Sequence, residues 1–219
     1  MGTLRILVGD DHEIVRKGLR AVLEKQPGWQ VVAEAANGRE AVEKAIETKP
    51  DITILDISMP SLNGLEAVRQ IVKKVRRTKI LVLTVHDSDV MINQVLEAGA
   101  RGFLLKTDAG RDLVSAVEAL RLDKTYFTQK ADQMILNRYL DGGNPPDAEG
   151  EGPAQVLTAR QREIVQLLAE GKSSKEVAVA LGLSVKTAET HRANIMRRIN
   201  CHSVTELVHY AVRNHIIEA

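Results

Sequence analysis

Residues 52–66 read ITILDISMPSLNGLE. Ile52–Leu55 is short, rich in β-branched residues and shows little apolar/polar alternation, and it runs directly into Asp56. A strand of that pattern is buried on both faces, as in a parallel sheet. Four other runs match it: Leu4–Val8, Val31–Ala35, Ile80–Leu83 and Gly102–Leu105. Between the runs lie segments of helical period. Ile14, Val15, Gly18, Leu19 and Val22 form one stripe, Ala41, Val42, Ala45 and Ile46 another, and Leu113, Val114, Val117 and Leu120 a third. Strand and helix alternating five times predict an α/β domain with a doubly wound, five-stranded parallel sheet.

The polar residues that end the strands carry the chemistry. Asp10 and Asp11 follow the first run, Asp56 ends the third, Thr84 the fourth and Lys106 the fifth. In an open parallel sheet the carboxyl ends of the strands share one edge, where ligands bind. Three carboxylates therefore meet a hydroxyl and an ammonium. Like charges so close oppose each other's ionisation. A hard divalent cation relieves that conflict, and Mg2+ suits one or two carboxylates with phosphate oxygens and water.

Residues 141–155, DGGNPPDAEGEGPAQ, hold seven Gly or Pro and four acids, and no apolar residue larger than Ala. Such a stretch cannot bury surface and breaks helix and strand alike, so it reads as an interdomain linker. The chain thus divides into 1–125, a helix with a flexible linker over 126–156, and a second domain over 157–219. The period of that second domain is helical throughout. Thr158 with Gln161, Ser173 with Glu176 and Ser203 with Glu206 are spaced as capping boxes, Ser184 can cap a further helix, and Gly171 and Gly182 close two helices. Four helices in about 60 residues, with Gly182-Leu183-Ser184 joining the second to the third, have the spacing of a helix-turn-helix.

Composition agrees. Hydrophobic residues make up 44 % and charged residues 27 %, too apolar for a disordered chain. With one cysteine, Cys201, no internal disulfide and no cysteine-based zinc site can form. No apolar run approaches the roughly 20 residues of a membrane span, and the start lacks a signal-peptide pattern, so a cytoplasmic protein with no membrane partner is expected. The overall charge of +1 hides an asymmetry: from Leu157 onward nine basic residues face six acids, an excess of three. A basic tail hints at nucleic acid.

ILVGDDH, ITILDISMPSLNGLE, ILVLTVHD and GFLLK resemble the receiver domain of bacterial two-component response regulators, over about residues 1–125. The resemblance implies a flavodoxin-like fold. It implies that Asp56 is the phosphoacceptor, and that Asp10, Asp11, Asp56 and the backbone carbonyl of Ser58 bind Mg2+. Thr84 would hydrogen-bond the phosphoryl group and Lys106 would pair with its charge. Thr84 and Phe103 would form the switch. Ser61-Leu62 stands where the family commonly has Gly-Met.

LTARQREIVQLLAEGKSSKEVAVALGLSVKTAETHRANIMRRI is similar to the LuxR-type helix-turn-helix of NarL/FixJ response regulators. On its third helix Ala188, Ile195 and Ile199 share the core side. Lys186, Glu189, Thr190, Ala193 and Arg197 fall opposite. Glu189 and Thr190 are placed to read bases, and Lys186, Thr187 and Arg192 suit phosphates. The expected function is a phosphorylation-dependent DNA-binding transcription regulator, not an enzyme. Its expected partners are a sensor histidine kinase, promoter double-stranded DNA, a second copy of the chain on phosphorylation, and RNA polymerase as a further candidate. Two rivals are an aspartate-nucleophile phosphatase or phosphotransferase and a DNA-binding protein with a merely structural receiver. Dehalogenase-type phosphatases place a second Asp two residues after the nucleophile, where this chain has Ser58. The complete strand-end set argues against a relic.

Overall fold

The computed structural model describes residues 2–85, 87–140 and 157–217, the stretch 135–140 in backbone only. The linker read over 141–155 lies outside the described residues. The chain separates into two compact units, Met1–Pro146 and Asp147–Ala219.

The first unit alternates strand and helix: β1 (Leu4–Gly9), α1 (Glu13–Leu23), β2 (Trp29–Ala35), α2 (Gly38–Thr48), β3 (Ile52–Asp56), α3 (Gly64–Lys74), β4 (Lys79–Thr84), α4 (Asp89–Ala98), β5 (Gly102–Leu105) and α5 (Ala109–Arg121), with α6 (Gln129–Leu140) after them. The strands are all parallel, in the order β2-β1-β3-β4-β5. Each central strand sends side chains to two cores. Leu7, Leu55, Val82 and Phe103 pack with Ala41 and Ala45 of α2, Leu65, Val68 and Ile71 of α3, and Met91 and Val95 of α4. Ile6, Ile54, Leu81 and Leu83 pack with Leu19 and Leu23 of α1 and with Leu113, Val117 and Leu120 of α5. This double burial is why the strand sequences do not alternate.

Two of the helical stripes are narrower than the sequence suggests. Ile14 is 86 % exposed, Gly18 is exposed and Ile46 is 41 % exposed. A helix lying on a sheet buries a limited arc, and α1 keeps only Leu19 and Leu23 fully inside, α2 Ala41, Val42 and Ala45. The edge strand β5 is covered by the chain that follows α5. Tyr126 bridges to Gly102, the Phe103 N–H donates to the Tyr126 carbonyl at 2.8 Å, and Ala131 of α6 is fully buried in the core beside α4.

The second unit contains α7 (Ala159–Ala169), α8 (Ser174–Leu181), α9 (Val185–Arg198) and α10 (Val204–Arg213) around one core of Ile164, Val165, Leu167, Val177, Ile195 and Leu207. Thr158–Gln161 and Ser173–Glu176 form full capping boxes. Ser203 caps α10, but the Glu206 carboxylate accepts from the His202 N–H at 2.7 Å, one residue early, so that reading as a full box is corrected. No helix among the described residues is long and apolar enough to cross a membrane.

Candidate functional sites

The parallel topology gathers the strand-end residues at one edge. Asp10 follows β1, Asp56 closes β3, Thr84 closes β4 and Lys106 follows β5. Asp10, Asp56 and Thr84 are buried, while Asp11 opens to solvent. The Lys106 Nζ stands 2.8 Å from Asp10 Oδ2 and 2.8 Å from Asp56 Oδ2. Burial pushes the Asp56 carboxyl up. Lys106 and the Ser58 N–H pull it down, the Asp10 charge adds to the rise, and the net direction is upward. Burial pushes Lys106 down, but its contacts to Asp10 and Asp56 outweigh this and hold it above the usual lysine value. The ammonium is thus firmly charged, as an anchor for a third anionic group requires.

The residues fit a divalent cation. Oδ2 of Asp10 and of Asp56 is buried with the Lys106 ammonium 2.8 Å away and accepts no other hydrogen bond, so each keeps a lone pair for a cation. Two buried carboxylates, Asp11 at the rim and one ammonium leave a surplus of negative charge. Asp11 carries its oxygens to within 4.8 Å of donor atoms of Asp10 and His12.

Local sequence explains how Asp56 is held. Asn63 caps α3 by accepting from the Glu66 N–H at 2.9 Å. A side chain at Gly64 would place its Cβ 1.9 Å from the Asp56 carbonyl oxygen, so only glycine lets α3 start against the strand end. Ser61, where the family commonly has Gly, takes a positive φ of 67°. Phe103 is fully enclosed in the core.

Two neighbours of the cluster carry no sequence signal. His12 donates its N–H to Asp10 Oδ1 at 2.9 Å and sets its Nδ1 2.7 Å from Asp11 Oδ1. Arg16 reaches back from α1 to donate from Nη1 to the Asp10 carbonyl at 2.7 Å.

In the second unit, Gly182 makes the turn with a left-handed φ of 64°, and Ser184 caps α9. Ala188 and Ile195 are buried; Lys186, Thr187, Glu189, Thr190, Ala193 and Arg197 are exposed on the free face, and Arg192 is half-buried at its border. The Thr190 hydroxyl donates to the Lys186 carbonyl at 2.9 Å, so its methyl is what it offers outward together with a lone pair. The Thr187 hydroxyl lies 2.7 Å from that of Ser184.

Residues 6–118 match the response regulator receiver domain, and residues 155–211 match the bacterial regulatory proteins of the luxR family. The oxygen regulatory protein NreC of Staphylococcus aureus is 37 % identical over 216 residues, 98 % of this chain and 100 % of that protein. The chain is a two-component response regulator of the NarL/FixJ type. It is accordingly a transcription regulator rather than an enzyme, with a receiver and a DNA-binding LuxR-type helix-turn-helix. Among solved structures, a LuxR-family two-component response regulator from Aurantimonas is 37 % identical with a TM-score of 0.58, covering 64 % of this chain and 99 % of that one. The RcsB response regulator of Salmonella typhimurium is 25 % identical with a TM-score of 0.57, covering 97 % and 100 %. The response-regulator family thus accounts for both units and leaves the phosphatase reading without support.

Proposed function

We propose that Asp56 accepts a phosphoryl group from a sensor histidine kinase and that this controls DNA binding by residues 157–219. The observation that carries the reading is the Lys106 ammonium, 2.8 Å from both Asp10 and Asp56 at the carboxyl edge of the sheet. An Asp56 carboxylate oxygen attacks phosphorus in line, the bond from phosphorus to the donor's leaving group breaks, and an acyl phosphate forms. Asp10, Asp11, Asp56 and the Ser58 carbonyl would hold Mg2+, which would supply positive charge for the transferring oxygens. Lys106 then pairs with the new phosphoryl group, Thr84 hydrogen-bonds it, and Phe103 responds to the shift of Thr84.

In the second unit, Lys186, Thr187 and Arg192 face phosphates, while Glu189 and Thr190 meet base edges and Ala193 and Arg197 complete the face. The target is promoter DNA, bound by a homodimer that phosphorylation favours; RNA polymerase is the natural further partner, and the cytoplasm the place of action. On this reading residues 1–125 form the receiver, 126–156 a helix and linker and 157–219 the DNA-binding domain, with α6 of the middle segment packed on the receiver core.

The test is phosphate uptake from acetyl phosphate, sensitive to hydroxylamine as an acyl phosphate is, together with DNA titration before and after uptake. Wild type should take up one phosphate and bind an inverted-repeat duplex more tightly. Uptake by Asp56→Asn at the wild-type rate would refute the assignment.

A further inference from the structure

We propose that Arg16 is a positioning residue for the metal-binding loop, acting through the backbone of Asp10 and not through the acidic side chains. Its side chain is largely buried, at 14 % exposure, although it lies on a helix whose neighbouring positions Lys17, Gly18 and Arg20 face solvent. Nη1 donates to the Asp10 carbonyl at 2.7 Å, and Nε lies 3.7 Å from Glu34 Oε2 on β2. The other oxygen of Glu34 is held by Arg20 at 2.9 Å. The Asp10 N–H is already tied to the Ala35 carbonyl at 3.1 Å. Arg16 therefore fixes the second side of residue 10, the peptide plane that leads into Asp11. That plane sets the direction in which the Asp11 side chain leaves the backbone.

The inference rests on the reading of Asp10 and Asp11 as ligands of Mg2+. The expected effect of losing Arg16 is opposite in sign to that of simple charge. A guanidinium beside a cation site repels the cation, so removing it should tighten Mg2+ binding if charge were its whole effect. If Arg16 holds the loop, removing it should weaken binding, because groups that orient ligands from behind are worth about 10–100-fold in metal affinity.

The experiment uses the full chain, with Mg2+ titrated by calorimetry and phosphate uptake followed at each concentration. Arg16→Met should raise the half-saturating Mg2+ about tenfold, while uptake recovers at saturating Mg2+. Arg16→Lys should fall between Arg16→Met and wild type, since it keeps the charge but not the planar fork. Glu34→Gln should shift half-saturation in the same direction by less. Arg20→Gln, which shares Glu34 but does not reach the Asp10 carbonyl, should leave it alone. In chelator, the amides of residues 10–12 should exchange faster in Arg16→Met. A folded Arg16→Met with unchanged or lower half-saturation overturns the proposal; where that variant does not fold, unchanged half-saturation in Glu34→Gln does so. A wild type that binds no Mg2+ at all overturns the ligand reading beneath it, a result distinct from either.

Discussion

Asp56 is buried beside the carboxylate of Asp10, and its charge is tolerated because Lys106 sits between them. The net effect of the surroundings still raises its carboxyl above the ordinary value of 3.8. A carboxyl whose pKa rises on folding stabilises the fold fully when protonated, below that ordinary value, and the contribution is lost as pH rises through the raised one. In chelator, Asp56→Asn should therefore melt higher than wild type at pH 7, and the gap should close under acid conditions where both side chains are neutral. Melting curves across the acid range check this, and a gap that stays constant with pH would be the wrong outcome. Ser61 offers a second test at the same loop. Its φ of 67° is one that L side chains adopt at a cost, so Ser61→Gly should stabilise the receiver by about 1 kcal/mol, less whatever the unfolded chain gains in freedom. Denaturant titration with an unchanged slope would measure it; a less stable Ser61→Gly would show that the hydroxyl's own contacts outweigh the strain.

Helix α9 begins on the Ser184 hydroxyl, which accepts from the Thr187 N–H at 3.0 Å. Ser184→Ala should cost about 1 kcal/mol of the second unit's stability. The first turn carries Lys186 and Thr187, so amide exchange there should rise before any change in the core; unaltered exchange at residues 185–188 would show that packing, not the cap, holds the turn. The cap was legible in the sequence because it depends on residues three apart. The strands were legible for a similar local reason, since burial on both faces removes alternation from each strand by itself. Once the topology was parallel, the strand-end set followed, because Asp10, Asp56, Thr84 and Lys106 had only one edge to share. What the sequence did not disclose depends on contacts between distant segments. Ile14 fits the α1 period yet projects from the first turn, where the sheet offers no cover. Arg16 looks like any charge on a solvated helix, and its partner is a backbone carbonyl, which leaves no trace in residue type. Lys130 was hidden by distance along the chain instead: its Nζ reaches Asp87 Oδ1 and Asp89 Oδ1 at 3.2 Å and so ties α6 to the start of α4.

The two units have separate apolar cores, one pair flanking the sheet and one inside the helical domain. A ligand that binds only one folded unit stabilises that unit alone, by an amount set by its concentration relative to its dissociation constant. On the proposed reading Asp10, Asp11 and Asp56 would hold Mg2+ in the first unit, whereas the exposed α9 face is in the second. Scanning calorimetry of the full chain in chelator should thus resolve two transitions. Mg2+ at 100 times its dissociation constant should add about 2.7 kcal/mol to the receiver transition and leave the other in place. Asp11→Ala should abolish most of that response without altering the second transition. A duplex carrying the operator should do the reverse, and its effect should fade with salt as phosphate contacts are screened. Lys186→Ala should lower the salt slope by about one per half-site on any duplex, whereas Glu189→Ala should change which duplex stabilises the domain most. If Mg2+ instead raises both transitions equally in the unphosphorylated chain, the units do not unfold independently, and the receiver acts on the helix-turn-helix before any phosphoryl group is present.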